Sequence, residues 1–380
     1  MPLKFLFAGG GTGGHLFPGI AIAREILKMK PDSRIHFAGT ERGIEATEVP
    51  KQGFTLHLIS IAGFKRGFSI HNILENLKFP FRLKQSIDES YRLLDQEEPD
   101  VVIGTGGYVS APVVYAAQRW GIPTIIQEQN ASLGISTKFL ARNADEVHLS
   151  FESSKKLLNR EGVFVSGNPT RDFKLIEKSE ARKKIGLLPE RPTLFAFGGS
   201  LGARSLNRFI EANLDRFLNE NNLIWQTGKL EFESIIKRIG ERQHLWVNRF
   251  VDEMDVAYSA ADLVLCRAGA STLAELARIG KPSILIPYPF AANNHQFHNA
   301  ESFTEKGAAE LIVDANLTSE ESVVKIESLL KNDSKLSAMS KAVQTFAKPN
   351  AAHEIAKHAI AYAQVFKDEL IKEGELDEKP

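Results

Sequence analysis

The chain has 380 residues, of which 43% are hydrophobic and 25% charged, so it is long enough for about two domains and can bury a core. Lys plus Arg and Asp plus Glu each total 47, a balance that speaks against a dedicated nucleic-acid binder, which carries a basic surplus. A single cysteine, Cys266, excludes an internal disulfide framework or a cysteine-rich zinc site, and fits a reducing compartment.

Apolar runs of strand length open the chain at Lys4–Ala8, Arg34–Ala38, Thr55–Ile59, Val101–Gly104, Thr124–Gln127 and Glu146–Leu149. Amphipathic stretches such as Gly19–Lys30 and Ala111–Trp120 lie between them. This alternation, with strands apolar throughout, predicts α/β architecture in which parallel sheets are covered by helices on both faces. Gly167-Asn168-Pro169 breaks the rhythm, which restarts with strands at Thr193–Phe197, Leu223–Gln226, Leu245–Val247, Leu263–Cys266 and Ser283–Ile286. The predicted domains are therefore 1–167 and 168–349. A last helix over 350–371 follows Pro349 and crosses back to the first domain, and the polar end, 372–380, frays. No stretch reaches the ~18 uninterrupted apolar residues of a membrane span, and the apolar run before the first glycines is too short for a signal peptide.

Each half begins with a strand, a glycine-rich turn and a helix: KFLFAGGGTGGH, then TLFAFGGSLGARSLN. Glycines at such a turn let the backbone approach an anion, and the helix N-terminus adds a favourable partial charge. Gly9, Gly11 and Gly14 satisfy the dinucleotide spacing G-x-G-x-x-G, but the second strand ends Phe37-Ala38-Gly39-Thr40 without the acid that binds a ribose. A nicotinamide or flavin cofactor and a purely structural turn are both minor readings, and no cofactor is expected. A further glycine loop follows Val101–Gly104, and three such loops at strand ends converge where open α/β sheets bind ligands.

Seven blocks in order carry a resemblance: GGTGGHLFPG (10–19), GTGGYVSAP (104–112), EQNASLG (128–134), GNPTR (167–171), GGSLGARSLN (198–207), CRAGASTLAEL (266–276) and HQFHNA (295–300). Together they closely resemble the MurG family of bacterial N-acetylglucosaminyltransferases, from residue 5 to about 360. The resemblance implies a GT-B fold, two Rossmann-like domains facing across a cleft. It implies inverting, metal-independent transfer of N-acetylglucosamine from UDP to the muramyl 4-hydroxyl of undecaprenyl-linked lipid I, making lipid II for peptidoglycan. No D-x-D and no Cys/His cluster is evident in the sequence, so no metal is expected. Carried over by position, the UDP-N-acetylglucosamine contacts are Thr12, Gly13 and Gly14 near the diphosphate, Asn130 toward the sugar, then Arg171, Ser200 and Val251. Ala270, Ser271, Thr272, Leu273, Ala274, Glu275 and Gln296 complete the set, with Glu275 accepting both ribose hydroxyls and Gln296 bonding the sugar.

For chemistry, His15 is either the base that deprotonates the acceptor or a residue that positions substrate. Glu128 and Tyr108 are candidates to touch the acceptor, with loop support as the alternative for both. Arg171 pairs with phosphate or forms a salt bridge, Arg267 is an ion-pair or loop residue, and Cys266 is an inert core thiol. The segment 61–84 sets Lys65, Arg66, Lys78, Arg82 and Lys84 against the single acid Glu75, among Phe64, Phe68, Ile73, Leu77, Phe79 and Phe81. That mixture suits the surface of an anionic bilayer, and a core-packed helix with ordinary surface charge is the alternative. The expected location is peripheral, on the cytoplasmic face of the bacterial inner membrane. The competing readings are another GT-B glycosyltransferase, a nonhydrolysing UDP-sugar epimerase of the same architecture and a UDP-sugar-binding regulator without turnover.

Overall fold

The structure is a computed structural model that describes residues 1–61, 79–199, 201–372 and 374. It divides into two units, Met1–Thr170 with Lys348–Pro380, and Arg171–Ala347. In the first unit the strands are β1 (Lys4–Gly9), β2 (Arg34–Gly39), β3 (Thr55–Leu58), β4 (Val101–Gly106), β5 (Thr124–Glu128), β6 (Glu146–Leu149) and β7 (Val163–Phe164). They form one parallel sheet in the order β3-β2-β1-β4-β5-β6-β7. In the second unit β8 (Thr193–Phe197), β9 (Asn222–Gln226), β10 (Leu245–Asn248), β11 (Leu263–Cys266), β12 (Ser283–Leu285) and β13 (Glu310–Leu311) are also parallel, in the order β10-β9-β8-β11-β12-β13.

Alternation along β1 explains why its run is apolar throughout. Phe5 and Phe7 enter the core beneath the Gly13–Met29 helix, while Leu6 and Ala8 enter the core on the opposite face. Neither face meets water, so no position favours a polar side chain, and each buried Phe contributes about 1.5–3 kcal/mol. The Ala351–Lys372 helix belongs to this first unit. Its Ile355, Ala356, Ala359, Ile360 and Ala363 complete the core with Leu16, Ile20 and Ile26, and its buried Lys367 Nζ donates to the carbonyl of Pro2 at 2.7 Å. Small residues along that face let it lie close. Gly167 makes the same accommodation, since a Cβ there would sit 2.2 Å from the Lys348 side chain.

Two departures from the sequence expectation have physical causes. The strands β7 and β13 are two residues each, too short to show a periodicity. The first helix starts at Gly13 rather than Gly19, because Pro18 and the glycines disguise its first turns. Pro18 is tolerated since the carbonyl it leaves unpaired, that of Gly14, lies on an exposed turn.

Candidate active site

Both sheets reverse strand order beside their first strand, between β1 and β4 and between β8 and β11. The crevice outside the strand carboxyl ends at such a reversal is where open α/β sheets bind ligands. Four loops stand there, 9–14 and 104–110 in the first unit and 198–203 and 267–269 in the second.

The two loops of the first unit interlock through their glycines. Gly107, at φ +81, passes so close to Gly10 that a Cβ would meet its carbonyl oxygen at 2.4 Å. A different residue holds the first loop from below. Glu45 is fully buried, and its carboxylate accepts from Gly11 N (2.8 Å), Thr40 N (2.9 Å) and Thr40 Oγ1 (2.8 Å). Cβ atoms on Gly10, Gly39 or Gly43 would come within 2.4, 2.4 and 2.1 Å of that side chain. Three glycines therefore make room for one carboxylate, and an amide that a dinucleotide loop would turn to pyrophosphate is held by the chain's own anion. Thr12, Gly13 and Gly14 then open the helix, with Thr12 at the N-cap making no side-chain capping bond, so the first-turn amides face outward for an anion.

His15 lies one turn into this helix, half-buried, and its Nδ1 is 2.9 Å from Gln129 Oε1. Gly106, at φ +98, supplies the flat surface beside the imidazole, where a Cβ would stand 2.7 Å from Nδ1. A bulge between Ala8 and Gly9 in the β1–β4 ladder leaves Thr105 unpaired there, and its carbonyl accepts from Gln129 Nε2 at 2.7 Å. Of the other candidates for chemistry, Tyr108 is half exposed on the second loop. Glu128 is buried, with Oε1 accepting from Asn130 N and Nδ2 at 3.1 and 3.2 Å, and Oε2 from Gly134 N and Thr137 Oγ1 at 3.0 and 2.6 Å. Four donors saturate that carboxylate. It shapes the 128–137 loop and fixes the Asn130 amide, which matches the loop-support alternative.

In the second unit the 198–203 loop is tied by Gln226. Its Nε2 donates to Gly199 O at 3.0 Å and its Oε1 accepts from Val251 N at 2.9 Å. Val251 is buried and its N–H is taken by Gln226. Ser200 lies outside the described residues. The Ala270–Ile279 helix opens after β11 from Gly269, again without a side-chain cap. Ala270, Ser271 and Thr272 present first-turn amides, Leu273 is buried, and Ala274 is half-buried. Ser271 Oγ is buried and has no hydrogen-bond partner among the described residues, a polar atom left for a ligand at an anion-binding helix end.

Glu275 stands one turn further along the same helix. Tyr258, wholly buried, donates to Glu275 Oε2 at 3.0 Å, and Arg171 Nε lies 3.6 Å from Oε1. Burial raises the Glu275 carboxyl above the ordinary glutamate range, opposed in part by Arg171 and the tyrosine hydroxyl. Arg171 thus takes the salt-bridge role, with its guanidinium 5.2 Å over the Phe173 ring. Gln296, in the first turn of the His295–Thr304 helix, accepts from Tyr288 N at 2.9 Å through its amide oxygen. Arg267 is a loop clamp: it donates to Asp314 Oδ1, Ser205 Oγ and the carbonyls of Ile286 and Pro287. Burial pushes the Cys266 thiol far up, which suits an inert core residue.

Glu45, Gln129, Gln226 and Tyr258 are the site-building residues that sequence reasoning missed. Gln129 sits inside the EQNASLG block, so position was the one signal available. Folding also brings together two groups that no spacing revealed, His36, His57 and Glu97, and Glu146, His148 and His358. Both are wired by hydrogen bonds, and His148 in the second donates from Nε2 to Glu146 while pairing Nδ1 with Ser166 Oγ at 2.7 Å. Neither group was evident as a cluster in the sequence, because each draws members from far apart along the chain.

A model of the glycosyltransferase family 28 N-terminal domain matches residues 5–149, and one of the family 28 C-terminal domain matches residues 193–355. Among solved structures, MurG of Acinetobacter baumannii superposes with a TM-score of 0.75 at 27% identity, covering 95% of this chain and 100% of that one. A UDP-N-acetylglucosamine 2-epimerase reaches a TM-score of 0.62 at 13% identity, covering 100% and 99%, a likeness of fold alone. Fold and switch-point loops together define a GT-B glycosyltransferase. A Prosthecochloris aestuarii protein described as UDP-N-acetylglucosamine--N-acetylmuramyl-(pentapeptide) pyrophosphoryl-undecaprenol N-acetylglucosamine transferase is 46% identical over 364 residues, 96% of this chain and the whole of that protein. The chain belongs to the MurG family within glycosyltransferase family 28.

Proposed function

We propose that this chain transfers N-acetylglucosamine from UDP-N-acetylglucosamine to the muramyl 4-hydroxyl of lipid I, producing lipid II. The observation that carries this reading is full-length similarity, 46% over 96% of the chain, to a protein described by that activity. The site chemistry supports it. In the second unit, Glu275 accepts the ribose hydroxyls, Val251 meets the base through its carbonyl, and Gln296 donates to the sugar. In the second unit diphosphate is held by first-turn amides of the Ala270–Ile279 helix with Ser271 Oγ; in the first unit Thr12, Gly13 and Gly14 present amides suited to an anion. Asn130 serves the sugar.

In the transfer the acceptor oxygen forms a bond to the anomeric carbon as the bond from that carbon to the UDP oxygen breaks. UDP leaves with the electron pair, and the hydroxyl proton passes to His15 Nε2. Amides near the leaving phosphate stabilise the charge that develops there, and inversion follows from attack opposite the leaving group.

A polyprenyl acceptor requires work at a membrane surface. Among the described residues no helix is long and apolar enough to cross a membrane. The stretch 61–84 lies mostly outside the described residues, but its end is described: Phe81 is 79% exposed at the start of the Phe79–Glu97 helix, beside Arg82 and the exposed Lys84. We assign this end to peripheral contact with anionic lipid on the cytoplasmic face of the inner membrane. No nucleic acid partner is proposed. The deciding assay mixes the protein with UDP-N-acetylglucosamine and a soluble lipid I analogue and follows UDP. Release that depends on acceptor, with a disaccharide product, supports the transferase. Conversion of donor without acceptor indicates the epimerase, and tight binding without product the regulator.

A further inference from the structure

A directional hydrogen-bond chain ends at His15. Ser150 Oγ donates to the main-chain carbonyl of Glu128 at 2.9 Å, so its oxygen is left to accept from Gln127 Nε2 at 3.2 Å. Gln127 therefore turns its Oε1 toward Gln129, which donates to it from Nε2. The same Gln129 Nε2 also faces Thr105 O at 2.7 Å and Gln127 O at 3.2 Å, two carbonyls that can only accept. A flipped amide would set Gln129 Oε1 against three acceptors. Gln129 Oε1 must therefore be the atom 2.9 Å from His15 Nδ1, and that nitrogen must carry the proton. Gln127 and Gln129 are 1% and 2% exposed, so the bonds between these two amides and to Thr105 O are closed to water.

We propose that Gln129 is a positioning residue that locks His15 in the Nδ1–H tautomer, leaving the Nε2 lone pair to take the acceptor proton. This rests on the reading of His15 as proton acceptor. The physical need is plain: a neutral imidazole has one lone pair, and without a partner on Nδ1 the proton partitions between both nitrogens. The Thr105 bulge and Gly106 belong to the same device, one aiming a carbonyl at the Gln129 amide and the other leaving space for the ring.

Histidine-labelled protein in nitrogen–proton multiple-bond NMR tests the tautomer directly, with the His15 signals identified by their loss in His15→Asn. The expected wild-type pattern is a protonated Nδ1 and an unprotonated Nε2; a protonated Nε2 overturns the proposal without any variant. Gln129→Met should mix the tautomers and lower kcat at least tenfold while the donor KM stays within twofold. An unchanged tautomer in Gln129→Met overturns the role of Gln129. A shifted tautomer with unchanged kcat overturns the catalytic consequence and locates the failure in the base reading of His15.

Discussion

Tyr258 donates its hydroxyl to Glu275 Oε2 across 3.0 Å, so a wholly buried core residue sets the direction of a half-buried carboxylate. The tyrosine ring is held in turn by Phe195 and Phe173, each edge-on at 5.7 Å. Under the assignment of Glu275 to the ribose, Tyr258→Phe should weaken UDP binding by about tenfold, or ~1.4 kcal/mol, read by calorimetry. An unchanged affinity would show that Glu275 needs no such guide.

Glu275 also couples binding to pH. Burial holds its carboxyl above the ordinary range, and the ionised form is the one that accepts two hydroxyls. UDP affinity should therefore fall on acidification at a higher pH than for an unperturbed glutamate, and Glu275→Gln should abolish this dependence. A group whose folded pKa exceeds its unfolded value binds its proton more tightly when folded. Glu275 thus costs stability at neutral pH, and the cost relaxes as pH falls through its folded pKa. Glu275→Gln is expected to weaken UDP binding at least tenfold with a Tm equal to or above that of the parent, the pattern of a residue kept for function.

Glu45 carries the opposite balance. Glu45→Ala would take the shared carboxylate from Gly11 N, Thr40 N and Thr40 Oγ1 and empty a fully buried site, at a cost of roughly 1–3 kcal/mol in denaturant unfolding. Glu45→Asp should not rescue it fully, because the three surrounding glycines are spaced for the longer side chain. Parental stability in Glu45→Ala would refute the claim that this carboxylate props the loop.

Gly106→Ala places a methyl 2.7 Å from His15 Nδ1 at a positive φ, so the imidazole must shift. Turnover should fall at least tenfold while UDP affinity stays within about twofold, since no ribose or base contact is touched.

At the membrane, Phe81→Ser with Arg82→Ser and Lys84→Ser should reduce sedimentation with anionic vesicles and leave activity on a soluble lipid I analogue unchanged. Equal vesicle binding would remove this end of the 61–84 stretch from the interface.

The sequence alone determined the two α/β halves, the glycine turns and the family. Apolar runs buried on both faces and glycine-punctuated strand ends are local patterns, and the seven blocks are local strings. It also offered His15, Arg171 and Glu275 as candidate site residues. What only the tertiary structure decided is what each polar group is bonded to. The sequence left Glu128 between the acceptor and loop support, and its four donors come from its own loop; it left Arg171 between phosphate and a salt bridge, and its guanidinium faces Glu275. Glu45, Tyr258 and Gln129 act from 34, 17 and 114 residues away on Gly11, Glu275 and His15, distances over which sequence carries no periodic signal. Donor and acceptor pairing depends on three-dimensional approach within about 3 Å, and residue order alone does not encode it.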